Sequence, residues 1–317
     1  MSNWSAANVP PLDGQTIVVT GANSGIGFEA THIFAQRGAT VVMACRSTDR
    51  GSDAKREIET NDPEGDLHVR ECDLADLDSI EAFAEEVSEE VDSLDVLCNN
   101  AGVMAIPRQE TADGFEMQLG VNHLGHFALT GHLLDLLGAS DGEARVVTQS
   151  SGMHERGEID FDDLHGERSY DKWDAYGQSK LANVLFAYEL QRRLDDTGVD
   201  DIESIACHPG YADTNLQVRT GKESGSRLVL GAMKLANKLL AQSAASGALP
   251  MVYGAVADDA DGGSYVGPGG LMNMRGAPEI QRSSDRSYDE STARRLWEVS
   301  EELTGVAYDE LAAATQA

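Results

Sequence analysis

A glycine-rich turn at the end of a short apolar run most constrains how this chain can fold. Residues 17–20 read Ile-Val-Val-Thr, the apolar and β-branched composition of a buried strand. Residues 21–27 follow as Gly-Ala-Asn-Ser-Gly-Ile-Gly and lead into a helical pattern that ends near Gly38. A strand, a glycine turn and a helix N-terminus form the first half of a βαβ unit, where backbone N–H groups face a phosphate. The turn predicts a bound dinucleotide, although its spacing departs from the commoner Gly-x-Gly-x-x-Gly and an ordinary strand–helix turn is the alternative.

Apolar β-branched runs alternate with helical periodicity along the chain, which predicts an α/β fold. We predict a single-domain, Rossmann-type, doubly wound parallel sheet of about seven strands, with helices on both faces and a core at 14–270. The predicted strands are Thr16–Thr20, Thr40–Ala44, Leu67–Glu71, Leu94–Cys98, Arg145–Thr148, Ile202–Cys207 and Ser264–Val266. The predicted helices are Gly25–Arg37, Asp49–Glu59, Leu77–Glu90, Gly114–Leu137 and Tyr176–Asp195. Ligands of such folds bind beyond the carboxyl ends of the strands.

Tyr176 and Lys180 lie four residues apart in a predicted helix, so they share one face of it. Tyrosine is a poor base at its ordinary pKa of about 10, but a nearby cation favours the phenolate. A helical Tyr-x-x-x-Lys pair is by itself more often structural than catalytic. Downstream of a dinucleotide-binding turn, the pair predicts proton transfer beside a bound cofactor.

These motifs resemble those of the short-chain dehydrogenase/reductase superfamily, whose turn is Thr-Gly-x-x-x-Gly-x-Gly and whose catalytic pair is Tyr-x-x-x-Lys. The likeness continues in the correct order over roughly residues 14–270. It implies that Tyr176 is the acid or base of a hydride transfer, and that Lys180 lowers its pKa and binds the nicotinamide ribose. It also implies that Ser151 donates to the substrate oxygen and that Asn122 positions Lys180 through a water molecule. Taken alone, Ser151 would be a strand-end cap and Asn122 a polar residue at a helix kink.

The same resemblance implies which residues hold the dinucleotide. Besides Tyr176 and Lys180 they are Gly21, Asn23, Ser24, Gly25, Ile26 and Gly27 in the first turn, Asp73 and Leu74 after the third strand, Asn100, Ala101 and Gly102 after the fourth, and Pro209, Gly210 and Thr214 in the loop flanking the nicotinamide. Residues 44–46, 121–127 and 176–183 are similar to the branch of retinol dehydrogenases and WW-domain oxidoreductases. Many vertebrate members of that branch carry an N-terminal membrane anchor or WW modules, and we expect neither here.

The residues after the second strand predict the type of dinucleotide. An acidic residue there binds the 2′-hydroxyl of NAD, whereas arginine suits the 2′-phosphate of NADP. The chain has Arg46 and Ser47 at this place, and the acidic residue Asp49 comes three residues too late. Arg46 can make charged hydrogen bonds to a phosphate, and Ser47 can add a hydroxyl. We predict NADP(H) as the preferred cofactor and NAD(H) as the alternative; an arginine that is merely exposed is the competing explanation.

The charge of the chain excludes some classes of partner. Asp and Glu total 54 against 24 Lys and Arg, a formal net charge of -30. Such a surface repels nucleic acid and anionic membranes. Because the acidic residues are spread along the chain, we favour adaptation to concentrated salt, where screening removes self-repulsion, over a docking surface for a basic partner.

The cysteines predict neither a metal site nor a disulfide framework. Each ends a predicted strand, and none has metal-ligand spacing: Cys45, Cys72, Cys98 and Cys207. Buried small apolar residues are the default for such positions, and a redox switch between neighbouring strands is the alternative. Reduced thiols, the lack of an N-terminal signal pattern and the lack of a long apolar run predict a cytoplasmic protein without a membrane-spanning segment.

Residues 213–243 change to an amphipathic pattern, most clearly over 227–240. By the family resemblance this segment forms a helical lid over the substrate, and a helix on a membrane surface is the alternative. An apolar lid suits a lipophilic small-molecule alcohol or carbonyl compound, such as a retinoid-like or steroid-like one. Residues 277–317 form a C-terminal extension, a helix plus a loose end, to which we assign no chemistry. A homodimer or homotetramer stays open.

Two other functions stay open at this point. Some proteins of this fold bind a dinucleotide as non-catalytic sensors, but loss of the Tyr–Lys pair would be their signature. A nucleotide-sugar epimerase or dehydratase also uses Tyr-x-x-x-Lys, but its glycine turn is usually Gly-x-x-Gly-x-x-Gly. The spacing of Gly21, Gly25 and Gly27 favours the reductases.

Overall fold

Eight strands form one sheet in the part of the chain that the computed structural model describes, residues 4–210, 243–270 and 273–312. The strands are β1 Thr16–Thr20, β2 Thr40–Cys45, β3 Leu67–Glu71, β4 Val96–Asn99, β5 Ala144–Gln149, β6 Ile202–Cys207, β7 Tyr265–Pro268 and β8 Pro278–Gln281. Their order is β3-β2-β1-β4-β5-β6-β7-β8, and every neighbouring pair is parallel except β7 with β8. The order reverses between β1 and β4, which places a ligand crevice beyond the carboxyl ends of these two strands.

Helices cover both faces of this sheet, as predicted for a doubly wound fold. They are α1 Gly25–Gln36, α2 Thr48–Glu59, α3 Leu77–Glu90, α4 Met117–Leu119, α5 Gly125–His132, α6 Leu134–Gly138, α7 Lys172–Thr197, α8 Ala244–Val256, α9 Glu290–Thr304 and α10 Asp309–Ala312. Side chains of α1, α2 and α8 pack on one face of the sheet, and those of α3, α5 and α7 pack on the other. Alternate strand residues supply the two layers, so Ile17 and Val19 face the first and Val18 the second.

The sheet differs from the prediction at one edge. The sequence predicts about seven parallel strands, whereas the structure adds β8 as an antiparallel edge strand. This strand is four residues long and starts at Pro278, a residue that strands accept at an edge or first position. Its pairing with β7 is a tertiary contact that no local periodicity signals.

The predicted helix Gly114–Leu137 is wrong as one continuous helix. Residues Gly120–Leu124 form a π-helical turn, in which Gly125 N–H bonds to the carbonyl of Gly120, five residues back. A Cβ on Gly125 would lie 2.5 Å from the carbonyl oxygen of Leu74, so glycine lets this segment approach the loop after β3. Single π-turns are often found at functional sites, and this one carries Asn122.

The C-terminal extension is part of the core. The predicted helix there is confirmed as α9, and Trp297 on it packs with ring centroids 5.1 Å from Phe127 and 5.8 Å from Phe186. Tyr308 closes this aromatic cluster and donates to the carbonyl of Phe127 at 2.7 Å. Since α9 packs on α7 from the side opposite the sheet, α7 is buried without a break from Tyr176 to residue 190.

The predicted lid over 213–243 lies outside the described residues, apart from Ser243, whose hydroxyl caps α8. No helix within the described ranges is both long enough and apolar enough to cross a bilayer.

Candidate active site

A cleft of about 1160 Å³ opens at the carboxyl ends of the central strands. Most of the residues singled out from the sequence line it: Gly21, Asn23, Ser24, Gly25, Ile26, Arg46, Ser47, Asp73, Leu74, Asn100, Ala101, Gly102, Ser151, Tyr176, Lys180, Pro209 and Gly210. Gly27 and Asn122 do not line it, and Thr214 is outside the described residues. The tertiary fold thus brings residues from seven separate segments to one cleft.

The first turn has room for a phosphate because two of its residues are glycines, at positions where a side chain would clash with neighbouring atoms. A Cβ on Gly27 would lie 2.5 Å from both the Asn100 amide nitrogen and the Gly21 carbonyl oxygen. Gly21 itself has φ +67, in the left-handed region, and a Cβ there would come 3.1 Å from Ala101. Ser24 is extended and begins α1, so the free N–H groups of that helix face the cleft.

A hydrogen-bonded clamp joins this turn to the loop after β4. The hydroxyl oxygen of Thr20 accepts the backbone N–H groups of Asn100 and Ala101, each at 2.9 Å. The side-chain amide of Asn100 donates back to the Thr20 carbonyl at 2.7 Å. The two central strands therefore hold their carboxyl ends at a fixed separation across the crevice.

Two arginines lie at the far end of the cleft. Arg46 follows β2, and Ser47 caps α2 by accepting the N–H of Arg50 at 3.5 Å. Arg50, which the sequence analysis missed, also lines the cleft, along with the carboxylates Asp53 and Glu57. Its signal was its place in the first turn of α2, three residues after the Ser47 cap that follows Arg46.

Tyr176 and Lys180 lie at the other end, both buried. Burial raises the pKa of Tyr176 above its ordinary value, and a hydrogen bond with Ser151 partly offsets the rise. Lys180 Nζ lies 6.0 Å from the centre of the Tyr176 ring and donates to the carbonyl of Gln149 at 3.0 Å. The expected lowering of the Tyr176 pKa by Lys180 is wrong for this structure, because burial outweighs a cation that is directed at a carbonyl.

Lys180 is itself strongly affected by its surroundings. Burial lowers its pKa from 10.5 to about 8. The Ser151 side chain accepts the N–H of Met153 at 3.3 Å, so it caps the short 3₁₀ turn after β5 while also reaching Tyr176. Ser151, Tyr176 and Lys180 therefore lie together at the cleft, with the serine and tyrosine side chains in contact.

The Asn122 side chain does not line the cleft but supports the loop after β4, which does. Its side-chain amide donates to the carbonyl of Val103 and to Ser179 Oγ, both at 2.9 Å, and its oxygen accepts the Val103 N–H at 2.8 Å. A Cβ on Gly102 would come 2.9 Å from Asn122 Oδ1 and 3.6 Å from Lys180 Nζ. Asn122 and Lys180 thus flank the same glycine, with the Asn122 side chain committed to Val103 and Ser179.

The substrate end of the cleft contains residues that sequence reasoning missed. They come from the 3₁₀ turn after β5, the start of α7, and the segments around β7 and β8: Met153, His154, Glu155, Trp173, Tyr265, Asn273, Met274, Gln281 and Arg282. Trp173 is 39% exposed and its ring lies 6.5 Å from that of Tyr176. No shared motif links these segments, because only the sheet topology brings them together.

The four cysteines are buried with free thiols. Burial raises the pKa of Cys45 to about 11 and that of Cys72 to about 12, and it also raises those of Cys98 and Cys207. Cys45 and Cys72 end neighbouring strands but pack on opposite faces of the sheet. A thiol with a raised pKa is a poor nucleophile, which argues against a redox switch.

Comparison with known proteins decides the family. The profile of the short chain dehydrogenases matches residues 15–225. The chain belongs to the short-chain dehydrogenase family. Such dehydrogenases are oxidoreductases, and this one acts on an alcohol or the corresponding carbonyl compound.

Similar proteins extend the likeness over nearly the whole chain. "Retinol dehydrogenase 13" of Homo sapiens is 44% identical over 307 residues, which are 95% of this chain and 87% of that protein. The crystal structure of an uncharacterized protein from Mycobacterium paratuberculosis is 41% identical, with a TM-score of 0.79, covering 97% of this chain and 99% of that one. An NAD(P) dependent gluconate 5-dehydrogenase from Beutenbergia cavernae with bound NADP is 27% identical, with a TM-score of 0.59, over 78% of this chain and 91% of that one.

Proposed function

We propose that this short-chain dehydrogenase uses NADP(H) to interconvert a lipophilic alcohol and its aldehyde or ketone. The observation that carries the proposal is one cleft with Arg46 and Arg50 at one end and the contacting Ser151 and Tyr176 at the other. Two guanidinium groups suit a dianionic 2′-phosphate, whereas a carboxylate directly after β2 would suit a 2′-hydroxyl. The solved relative with bound NADP supports this choice.

The residues present fit a dinucleotide. The turn at Gly21 and Gly27 is a cradle that a Cβ would fill, and the start of α1 offers free N–H groups to a pyrophosphate. Asp73 and Leu74 would flank the adenine, and Tyr176 with Lys180 would lie beside the nicotinamide ribose. When bound, the nicotinamide supplies or accepts the hydride.

Tyr176 would move the proton that accompanies this hydride. Because burial raises its pKa, the phenol is protonated at neutral pH and is ready to donate to a carbonyl oxygen. Ser151, in contact with the same phenol, would donate a second hydrogen bond to that oxygen as negative charge develops. This protonation state favours reduction at neutral pH, since oxidation first requires the phenol to lose its proton.

The substrate end supports a lipophilic compound. Met153, Met274 and the half-exposed Trp173 supply apolar surface near Tyr176, while His154 and Tyr265 supply a few polar groups. Sites of this composition bind apolar molecules and orient them by a small number of hydrogen bonds. The retinol dehydrogenases among the relatives agree with a lipophilic alcohol.

Salt adaptation and a cytoplasmic location are further parts of the proposal. They are supported by the net charge of -30 and by the four buried, unpaired cysteines.

The test is NADPH oxidation with a panel of aldehydes and ketones of increasing chain length, with NADH in parallel. We expect turnover to favour apolar compounds and NADPH. Tyr176→Phe should reduce turnover by at least about a hundredfold, because it removes the proton donor but leaves the ring packing. NADPH binding, followed by fluorescence, should survive in that variant. Undiminished turnover in the folded Tyr176→Phe protein, or a wild-type preference for NADH, would contradict the proposal.

A further inference from the structure

A buried histidine lies between the two halves of the site. His126 is on α5, four residues after Asn122, and is 1% exposed. Its Nδ1 lies 3.0 Å from the backbone carbonyl oxygen of Asn122, and its Nε2 lies 2.9 Å from the hydroxyl of Thr20. Asn122 contacts the helix that carries Tyr176 and Lys180, and Thr20 directly precedes the glycine turn.

The partners determine which ring nitrogen carries the hydrogen. A carbonyl oxygen can only accept, so Nδ1 must carry the hydrogen that it donates to Asn122. The Thr20 oxygen already accepts from the N–H groups of Asn100 and Ala101, which leaves its own hydrogen to donate. The nearest acceptor is Nε2 at 2.9 Å, closer than the Cys98 carbonyl at 3.3 Å. His126 is therefore the neutral Nδ1–H tautomer.

The contacts continue from the Asn122 side chain to the backbone of the helix that carries Tyr176. The side-chain amide of Asn122 donates to Ser179 Oγ at 2.9 Å, and the Ser179 hydroxyl donates to the backbone carbonyl of Tyr176 at 2.9 Å. All these groups are buried, so water does not compete for their hydrogen bonds. Through Thr20 and Asn122, His126 joins the end of β1 to α5 and α7 by side-chain hydrogen bonds, in addition to the loop after β4.

We propose that His126 is a positioning residue. It fixes the end of β1, where the dinucleotide turn begins, relative to Asn122 and the helix that carries Tyr176. It does not line the cleft; it acts through Thr20 on one side and Asn122 on the other. The role rests on the proposed function, since it supposes that the turn binds a dinucleotide and that Tyr176 transfers a proton. Burial lowers the pKa of His126 to about 4, so the same hydrogen-bond pattern persists at neutral pH.

Two substitutions separate the two sides of this link. His126→Phe keeps a flat ring but removes both hydrogen bonds, whereas His126→Asn retains an amide where Nδ1 donates and loses the contact with Thr20. For His126→Phe we expect kcat to fall by about a hundredfold, the effect of a small misplacement of reacting groups, with substrate KM nearly unchanged. We expect the Kd of NADPH to rise by about two- to tenfold, the range for one lost hydrogen bond. His126→Asn should recover most of kcat but not the affinity for NADPH.

His123 provides a matched control. It is also a buried imidazole in this segment, but its Nε2 contacts Ser300 on α9 rather than the cleft. His123→Phe should therefore lower the melting temperature while leaving kcat and the Kd of NADPH within about twofold of wild type, the scatter expected for an uncoupled site. A loss of kcat in His123→Phe equal to that in His126→Phe would overturn the positioning role.

Two measurements do not depend on catalysis. Nitrogen-15 NMR of the wild type should show His126, assigned by its absence in His126→Asn, as neutral with the hydrogen on Nδ1. Combining Thr20→Val with His126→Phe should weaken NADPH binding less than the sum of the single effects, since both interrupt one path. The opposite tautomer, additive effects, or a folded His126→Phe protein with wild-type kcat and Kd would refute the role. If the wild type turned over no carbonyl compound, the proposed function would fail while these two measurements still tested the link.

Discussion

Lys180→Met should stabilise the fold while it abolishes activity. Lys180 is 4% exposed, and burial lowers its pKa from 10.5 to about 8. At about 1.4 kcal/mol per pKa unit, keeping this ammonium charged at neutral pH costs on the order of 3 kcal/mol of folding free energy. Methionine removes the charge and one hydrogen bond, worth about 1 kcal/mol, to the carbonyl of Gln149. That carbonyl keeps the Asn183 amide as a donor at 2.9 Å, so no buried acceptor is left unpaired.

The net gain should be about 2 kcal/mol in the free energy of unfolding at pH 7, or roughly 5 °C in melting temperature. The sign of the pH dependence follows from the lowered pKa. Between about pH 8 and 10.5 the folded protein releases this proton before the unfolded chain does, so wild-type stability rises relative to Lys180→Met. The gain of the variant should therefore shrink across this window and vanish above it.

Urea unfolding of both proteins at pH 7, 9 and 10.5, without cofactor, measures this difference directly. Lys180→Arg is the control, because it keeps a buried charge and should be inactive without being stabilised. A Lys180→Met protein no more stable than wild type at pH 7, or a difference independent of pH, would refute the reasoning about burial.

Three further predictions concern the cofactor, the turn and the surface. Arg46→Asp should shift the ratio of kcat/KM for NADPH and NADH by roughly 1.5–3 kcal/mol toward NADH, the value of a charge-assisted hydrogen bond; an unchanged ratio would exclude Arg46 as the phosphate ligand. Gly27→Ala should weaken NADPH binding by at least about tenfold, since its Cβ would lie 2.5 Å from Asn100. Gly142→Ala is the control, because a Cβ there meets nothing within 4 Å. Equal NADPH affinities of the two variants in a titration would count against the phosphate cradle. Melting temperature and turnover should rise as KCl goes from about 0.1 M to above 1 M, because screening over a Debye length that falls from about 10 to 3 Å weakens carboxylate repulsion; a flat melting series would rule out salt adaptation.

The order and type of the elements could be predicted from the sequence because local patterns encode them. The bounds of β1, β3, β6 and α3 are those predicted, since each is a buried run or an amphipathic repeat set off by a turn or cap. The glycine turn and the Tyr–Lys pair were equally local. A positive φ at Gly21 and an i, i+4 spacing on α7 are properties of a few consecutive residues.

Tertiary structure decided what depends on burial and on distant partners. The π-turn at Gly120–Leu124, the substrate end of the cleft and strand β8 depend on contacts between segments that are distant in the sequence. The direction of the Tyr176 pKa was wrong from sequence because spacing predicts a neighbouring charge but not desolvation. Likewise, the sequence shows His126 only as one of several histidines in an apolar helix. The fold places its two ring nitrogens beside Thr20 and Asn122. A hydrogen bond needs atoms within about 3 Å, and only the folded chain specifies such distances between residues a hundred positions apart.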